Sequence, residues 1–427
     1  MNMTSMTKHK VDACDIAVIG GGAAGAMAAI SAARLGADVV LLERNDSIGK
    51  KLRITGKGRC NVTNDCTIPE FMQNVPTNPK FLYAALSRFE PSDTKSFFEE
   101  AGVPLKVERG RRVFPISDKA GDIVWALKRT LSEAGVRVLN RRVTDISVVD
   151  GRVEGVITAD GEIRARAVIV CTGGKSYPLT GSDGDGYRFA RECGHTVTAL
   201  LPSLVPLTSE DKDCPRMQGL SLKNVALAVE NRESGRRVYE DFGEMMFTHF
   251  GMTGPMILSA SAHIPDVAPG KYDVVIDLKP ALDERELDAR LLSDFSKYAN
   301  RDFANALGDL LPQKMIEVVI RRSGIDERKK VNSITREERG ALRDVIKRFR
   351  VSVSGFRPIK EAIVTKGGVS VKEIDPKTME SKICAGLYFA GEVIDLDAYT
   401  GGYNLQIAFS TGVLAGESAA FEALAEK

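Results

Sequence analysis

At 427 residues, 43% of them hydrophobic and 27% charged, the chain can bury a substantial core and make two or three domains. No run approaches the roughly 18 apolar residues of a membrane span, and a net charge of +2 does not by itself mark a nucleic-acid binder. The seven cysteines, Cys14, Cys60, Cys66, Cys171, Cys193, Cys214 and Cys384, are scattered without a Cys-x-x-Cys pair. They suggest reduced thiols and argue against a disulfide framework or a metal site. The polar start MNMTSMTKHKVDACD lacks an apolar h-region, so the cytoplasm is the expected location.

In chain order, residues 15 to 19 (DIAVI) read as a strand, GGGAAG as a tight turn and AMAAISAARLGA as a helix able to pack closely on a sheet. Gly20, Gly22 and Gly25 supply G-x-G-x-x-G in that context. One glycine makes the turn, one lets backbone approach a pyrophosphate, and one permits close helix and strand packing. Phosphates are expected at the N–H groups and positive dipole end of the helix, where Ala23 and Ala24 stand. A second strand, DVVLLE, ends at Glu43, whose carboxylate can accept hydrogen bonds from ribose hydroxyls. Glu43 followed by Arg44 leaves NAD or FAD open.

The loop GKKLRITGKGRCNVTN, Gly49 to Asn64, comes next and is rich in cations and glycine. Residues 81 to 135 suggest a helix (RFEPSDTKSFFEEAG) and a hairpin (LKVERGRRVFPI). ARAVIVCTGG is a further strand and turn, with Thr172 and Gly173 placed beside the adenine half of a dinucleotide. Residues 201 to 280 alternate apolar and polar positions, as in the antiparallel strands of a small barrel or sandwich, and 281 to 354 are helical in composition. Between Arg321 and Arg350 eleven Lys and Arg stand against five Asp and Glu, a surplus that reads as a solvated helical face or, more sharply, as a polyanion-binding face.

The C-terminal stretch decides between the cofactors. A strand from Leu387 to Ala390 leads to Gly391 and Glu392, then to an acidic loop with Asp395, a Gly401-Gly402 turn, and a small-residue helix beginning around Tyr403, Asn404 and Leu405. In two-dinucleotide-binding-domain flavoproteins, which this stretch resembles, such a strand carries an acid to the ribityl and pyrophosphate region, and the following helix aims its N-terminus at the flavin pyrimidine. These pieces meet if FAD lies extended across one sheet. The expected fold class is therefore α/β, a Rossmann-like two-dinucleotide-binding-domain flavoprotein. Its FAD domain is discontinuous, 1–200 plus 355–427, with an inserted β-barrel-like domain at 201–280 and a helical domain at 281–354.

GKKLRITGKGRCNVTN, FTHFGMTGPMIL and GLYFAGEVIDLDAYTGGYNLQIAFSTG together resemble the BaiN/RdsA-type flavoproteins, also known as aminoacetone-oxidase-like FAD enzymes. The resemblance spans essentially the whole chain and implies non-covalent FAD. The activities it implies differ among members: dihydrouridine formation in 23S ribosomal RNA, reduction of 3-oxo bile-acid-like enones, or oxidation of aminoacetone. The Gly49 to Asn64 loop would then run along FAD. Gly56 and Gly58 would allow close backbone approach, and Lys50, Lys51, Lys57 and Arg59 would offset phosphate or reduced-flavin charge.

In uracil and in a 3-oxo-Δ4 steroid alike, a carbonyl polarises a conjugated C=C bond. Reduced flavin can then deliver hydride to the β carbon while an acid protonates the α carbon. Cys60 and His249 are the two side chains in family motifs able to give that proton. Thr248 and Thr253 are candidates to hold substrate carbonyls. For ribosomal RNA, the basic segment and RGRRVFP, with Phe114 stacking on an unpaired base, would form the contact. For a small conjugated carbonyl substrate, Met245, Met246, Phe250, Met252 and Met256 would line an apolar cleft. No second G-x-G-x-x-G follows a strand, so NAD(P)H is expected as a transient reductant without a domain of its own.

Overall fold

The computed structural model describes residues 12 to 425; His9 lies outside the described residues. The chain divides into two compact units, one comprising the residues up to Ser203 together with those from Ala362 onward, the other running from Leu204 to Glu361.

The first unit is built on a parallel sheet. Strand β1 (Asp12–Ile19) pairs in parallel with β2 (Val39–Leu42), and β2 pairs with β3 (Arg137–Leu139). An antiparallel meander, β4 (Val143–Val149) and β5 (Arg152–Thr158), leads into the long strand β6 (Gly161–Val170). The start of β6 pairs with β5, while its second half runs parallel between β1 and β7 (Leu387–Phe389). The apolar, β-branched run Ile16 to Val18 has 0% exposure, as expected for a sheet covered on both faces.

Helix α1 (Ala23–Arg34) and the C-terminal helix α3 (Tyr403–Ala425) pack against each other and on β1. They approach so closely that a Cβ at Gly412 or Gly416 would run into the Ala24 or Ala28 carbonyl. This is why both helices are rich in Gly, Ala and Ser. Between β6 and β7 in sequence lies α2 (Asp185–Glu192). A small antiparallel sheet joins Thr63–Asn64, Arg112–Pro115 and Leu105–Glu108, so LKVERGRRVFPI is a hairpin.

In the second unit, seven strands pair in the order Phe349–Val353, Tyr272–Asp277, Ser221–Asn231, Arg237–Thr248, Gly251–Thr253, Leu207–Thr208, Gly355–Phe356. Helices Glu284–Lys297, Gln313–Ser323 and Arg336–Lys347 share one core with this sheet, with Leu291, Val318 and Ile346 packed in the same cluster as Val274, Ile276 and Phe349. The first and last strands of the order are two parts of one stretch interrupted at Ser354.

Candidate functional site in the parallel-sheet unit

The C-terminal ends of β1, β2, β6 and β7 lie along one edge of the sheet, the edge at which open α/β folds bind ligands. Gly20 has φ +102°, and a Cβ there would stand 2.6 Å from the Cys171 carbonyl oxygen at the end of β6. Gly25 sits against the Gly20 carbonyl with no room for a Cβ. Gly22, by contrast, faces open space, with nothing within 4 Å of a built Cβ, and it starts α1 without a side-chain cap. The first N–H groups of α1, at Ala23 and Ala24, therefore open onto a cradle suited to an anion.

Glu43 is 7% exposed. One carboxylate oxygen accepts the Gly21 N–H at 2.8 Å, and the other accepts the Asn45 N–H at 2.8 Å and its side-chain amide at 2.7 Å. The acid thus holds the glycine turn, and lone pairs remain for a ribose hydroxyl. Arg44 is committed elsewhere, to Asp183 and, at 3.4 Å, to Asp185.

The cationic loop reaches the C-terminal motif at several points. Lys51 Nζ lies 2.8 Å from a Glu392 oxygen and donates to Ser176 Oγ at 2.7 Å. The other Glu392 oxygen accepts the Thr365 N–H at 2.8 Å and the Ser176 hydroxyl at 3.0 Å. Asn64 donates to the Gly401 carbonyl at 3.0 Å, and Thr63 Oγ1 to Gln406 Oε1 at 2.6 Å. Gly402, at φ +100°, packs on the Thr63 backbone where a Cβ would not fit. Segments more than 300 residues apart in sequence are thereby joined.

Gly56 and Gly58 are exposed at positive φ. Arg59 does not face outward as a free cation. It pairs with Glu108 and, at 2.6 Å, with Asp118, and its guanidinium covers the Phe114 ring at 4.1 Å. Phe114 is 4% exposed and so is not available to stack on an unpaired base. Cys60 is fully enclosed, at φ +60°. Burial pushes its thiol up to about 11, so it stays protonated at neutral pH.

Past β7, Asp395 is partly buried, and its carboxyl is raised by burial and by the nearby Asp397 charge. Asp397 itself is 0% exposed. One of its oxygens accepts the Ser203 hydroxyl at 2.7 Å, and the other has no partner. Asn404 pins this loop by accepting the Ala398 N–H at 3.0 Å and donating to the Ala398 carbonyl at 2.7 Å. Tyr403 is buried at the start of α3, beside the half-buried Leu405. Asp397 and Gln406 were not singled out by the sequence, since only their distant partners distinguish them from neighbouring polar residues.

Buried polar atoms without a protein partner stand on three of these segments: Asn61 Oδ1 in the cationic loop, Thr172 Oγ1 beside Gly173 at the end of β6, and Asp397 Oδ1. Together with the open cradle at Gly22 they fit a long ligand rich in phosphate, hydroxyl and N–H groups, as FAD is. Among the described residues no group of three or more side chains is arranged to hold a metal ion, and no helix is long and apolar enough to cross a membrane.

In the second unit, His249 is exposed on the two-residue turn between strands Arg237–Thr248 and Gly251–Thr253, its ring edge-on to Phe250 at 5.0 Å. Thr248 Oγ1 is buried without a partner. Met245, Met252 and Met256 belong to the core rather than to a cleft surface. The basic segment is largely neutralised: Arg322 pairs with Asp211 and Asp213, Arg339 with Asp288, Lys347 with Asp277, Lys330 with Asp302, and Arg350 with Glu230. These acids lie outside the segment, which is why a window of sequence showed a surplus that the folded surface does not carry.

Comparison with known proteins places this architecture. The family profile described as "HI0933-like protein Rossmann domain" matches residues 14–418. The 3-dehydro-bile acid delta(4,6)-reductase of Clostridium scindens is 32% identical over 95% of this chain and 98% of its own length. The ribosomal RNA dihydrouridine synthase of Haemophilus influenzae is 32% identical over 92% of this chain and 95% of its own. Among solved structures, a quinol-fumarate reductase with menaquinol molecules superposes with a TM-score of 0.54 at 19% identity, covering 98% of this chain and 72% of that one. The 3-ketosteroid-delta4-(5alpha)-dehydrogenase of Rhodococcus jostii RHA1 gives 0.50 at 18% identity, covering 98% and 99%. At such identities the structural likeness speaks for the fold alone. The glycine cradle, the acid at the end of β2 and the full-length sequence match lead to one conclusion: the chain belongs to the HI0933-like family of FAD-dependent Rossmann-type oxidoreductases.

Proposed function

We propose that this protein is an NAD(P)H-driven reductase that adds hydride and proton across the conjugated C=C bond of a small 3-oxo-Δ4, steroid-like enone. The observation that carries this reading is the full-length similarity to a bile-acid reductase, joined to a chain whose basic segment is spent on internal ion pairs. Uracil in 23S ribosomal RNA is the second reading, favoured by the similarity to dihydrouridine synthases.

Bound FAD supplies the hydride. The residues expected to hold it are those of the glycine turn (Gly20, Gly22, Ala23, Ala24, Gly25), Glu43, Thr172, Gly173, Gly391, and the Gly401 to Leu405 turn. Glu392 and Lys51 act as a pair that fixes the cationic loop beside the end of β7. Asp397 offers an unpartnered acceptor to a cofactor N–H or O–H group. For the proton at the substrate α carbon we favour His249, the exposed imidazole of the FTHFGMTG motif. Cys60, enclosed and raised to about 11, then serves packing and loop geometry. The residues up to Ser203 and from Ala362 onward act as the FAD domain, narrower than 355–427 at its second part because Gly355–Phe356 pairs in the other unit's sheet. The inserted strands read as barrel-like, since one stretch, 349 to 356, supplies both ends of the strand order.

The test is product analysis after anaerobic incubation with NAD(P)H and either a 3-oxo-Δ4 steroid or unmodified 23S rRNA. A saturated ketone supports the first reading, and dihydrouridine the second. Neither product, with flavin that NAD(P)H still reduces, refutes C=C reduction of both substrate classes.

A further inference from the structure

Cys193 and Cys384 are far apart in sequence, yet their thiols lie close enough to act on each other. Cys193 caps the C-terminus of α2 and is half-buried, whereas Cys384 is 2% exposed. The backbone is fixed on both sides of the contact. The Cys193 N–H donates to the Phe189 carbonyl at 3.0 Å. Opposite, Ser381 Oγ accepts the N–H groups of Cys384 at 2.8 Å and Ile383 at 3.0 Å. His195 Nε2 lies 2.8 Å from the same Ser381 oxygen, and a Cβ at Gly194 would come within 3.4 Å of the Ile383 side chain. Residues 193 to 195 therefore meet residues 381 to 384 at successive points, an alignment that brings the two cysteines together.

Within the pair, the Cys193 proton is held by the neighbouring sulfur, which raises Cys193 and lowers Cys384 below an ordinary thiol. The remaining half-buried thiols differ: Cys14 and Cys66 are pushed up by burial to about 12 and about 11, with no cysteine among the groups acting on them.

We propose that Cys193 and Cys384 form a peroxide-sensitive dithiol site that closes reversibly to a disulfide. The half-exposed Cys193 admits the oxidant and gives up its thiol proton to the departing oxygen. Its sulfur attacks one peroxide oxygen, the O–O bond breaks, and a sulfenic acid and one water result. Cys384 sulfur then attacks Cys193 sulfur, the S–O bond breaks, and a second water leaves. Two thiols and one hydrogen peroxide become one disulfide and two waters; the sulfurs are oxidised and the peroxide is reduced. Closure would staple the end of α2 to the segment leading into β7. The proposal is independent of the substrate reading above.

The test exposes the flavin-loaded protein to graded hydrogen peroxide, blocks free thiols with N-ethylmaleimide, and maps peptides without reductant. The expected result is a linked Cys193–Cys384 peptide, with an intact mass lower by two hydrogens, reversed by dithiothreitol. Cys193→Ser and, as a second variant, Cys384→Ala should each retain flavin and abolish the linked peptide. The proposal is overturned if both thiols remain alkylatable at doses that oxidise Cys14 and Cys66. It is also overturned if they accumulate as separate sulfenic or sulfinic acids, or if either links to a different cysteine.

Discussion

Replacing Gly22 by alanine separates cofactor binding from folding. The residue has φ −80° and ψ −163°, extended backbone open to any amino acid, and a built Cβ meets nothing within 4 Å. A compatible Gly→Ala change gains about 0.4–1 kcal/mol by restricting the unfolded chain, while alanine is a poorer N-cap than glycine by a comparable amount, about 0.5–1 kcal/mol. The cofactor-free protein should therefore unfold within about 1 kcal/mol of the wild type. If the FAD pyrophosphate occupies the cradle, the added methyl group overpacks it at about 1–3 kcal/mol, which weakens FAD binding roughly 5- to 150-fold.

Gly20→Ala gives the contrasting outcome. Its φ of +102° is strained for alanine, and the Cβ would stand 2.6 Å from a backbone oxygen, some 0.8 Å closer than the 3.4 Å at which ordinary contact begins. That variant should lose stability as well as flavin. The assay is urea unfolding of the cofactor-free proteins beside fluorescence titration with FAD. A Gly22→Ala protein that folds normally and binds FAD within twofold of the wild type would refute the placement of the pyrophosphate.

Glu43→Ala should leave the Gly21 and Asn45 N–H groups without their acceptor, costing about 1–3 kcal/mol and lowering the flavin-to-protein ratio on purification; full flavin content would contradict the ribose assignment. Lys51→Met should cost about 1–2 kcal/mol, since the Lys51–Glu392 pair is roughly a fifth exposed, and Lys51→Met/Glu392→Gln should recover part of that loss in a double-mutant cycle. Burial lowers the His195 pKa from 6.5, so the unfolded chain takes up this proton before the native protein does. Stability should then fall as pH drops below about 6.5 towards the lowered native value, and His195→Asn should flatten that part of the urea-unfolding profile. His249→Asn should retain FAD and lose turnover, whereas Cys60→Ala should keep both; unchanged turnover in His249→Asn would remove it as the acid.

The strand, glycine turn and helix, and the acid that follows them, were legible in the sequence because each depends on residues within about thirty positions, through periodicity and glycine spacing. The link between the cationic loop and the C-terminal motif came from family resemblance alone, since Lys51 and Glu392 stand 341 residues apart. Local reading could not show which acids the cations meet. Arg59 pairs with Glu108 and Asp118, 49 and 59 residues on, and cations between Arg321 and Arg350 pair with acids as distant as Asp213 and Glu230. Asp397 was one acid in an acidic loop until Ser203, 194 residues upstream, enclosed one of its oxygens.

The measurement closest to the central claim is the oxidative half-reaction. Protein-bound flavin is reduced chemically under argon, freed of NAD(P)H, and mixed with a 3-oxo-Δ4 steroid while the flavin absorbance is followed. The account predicts return of the oxidised flavin spectrum with one saturated ketone formed per flavin. Flavin that stays reduced with both this enone and unmodified rRNA, yet reoxidises in air, would contradict it.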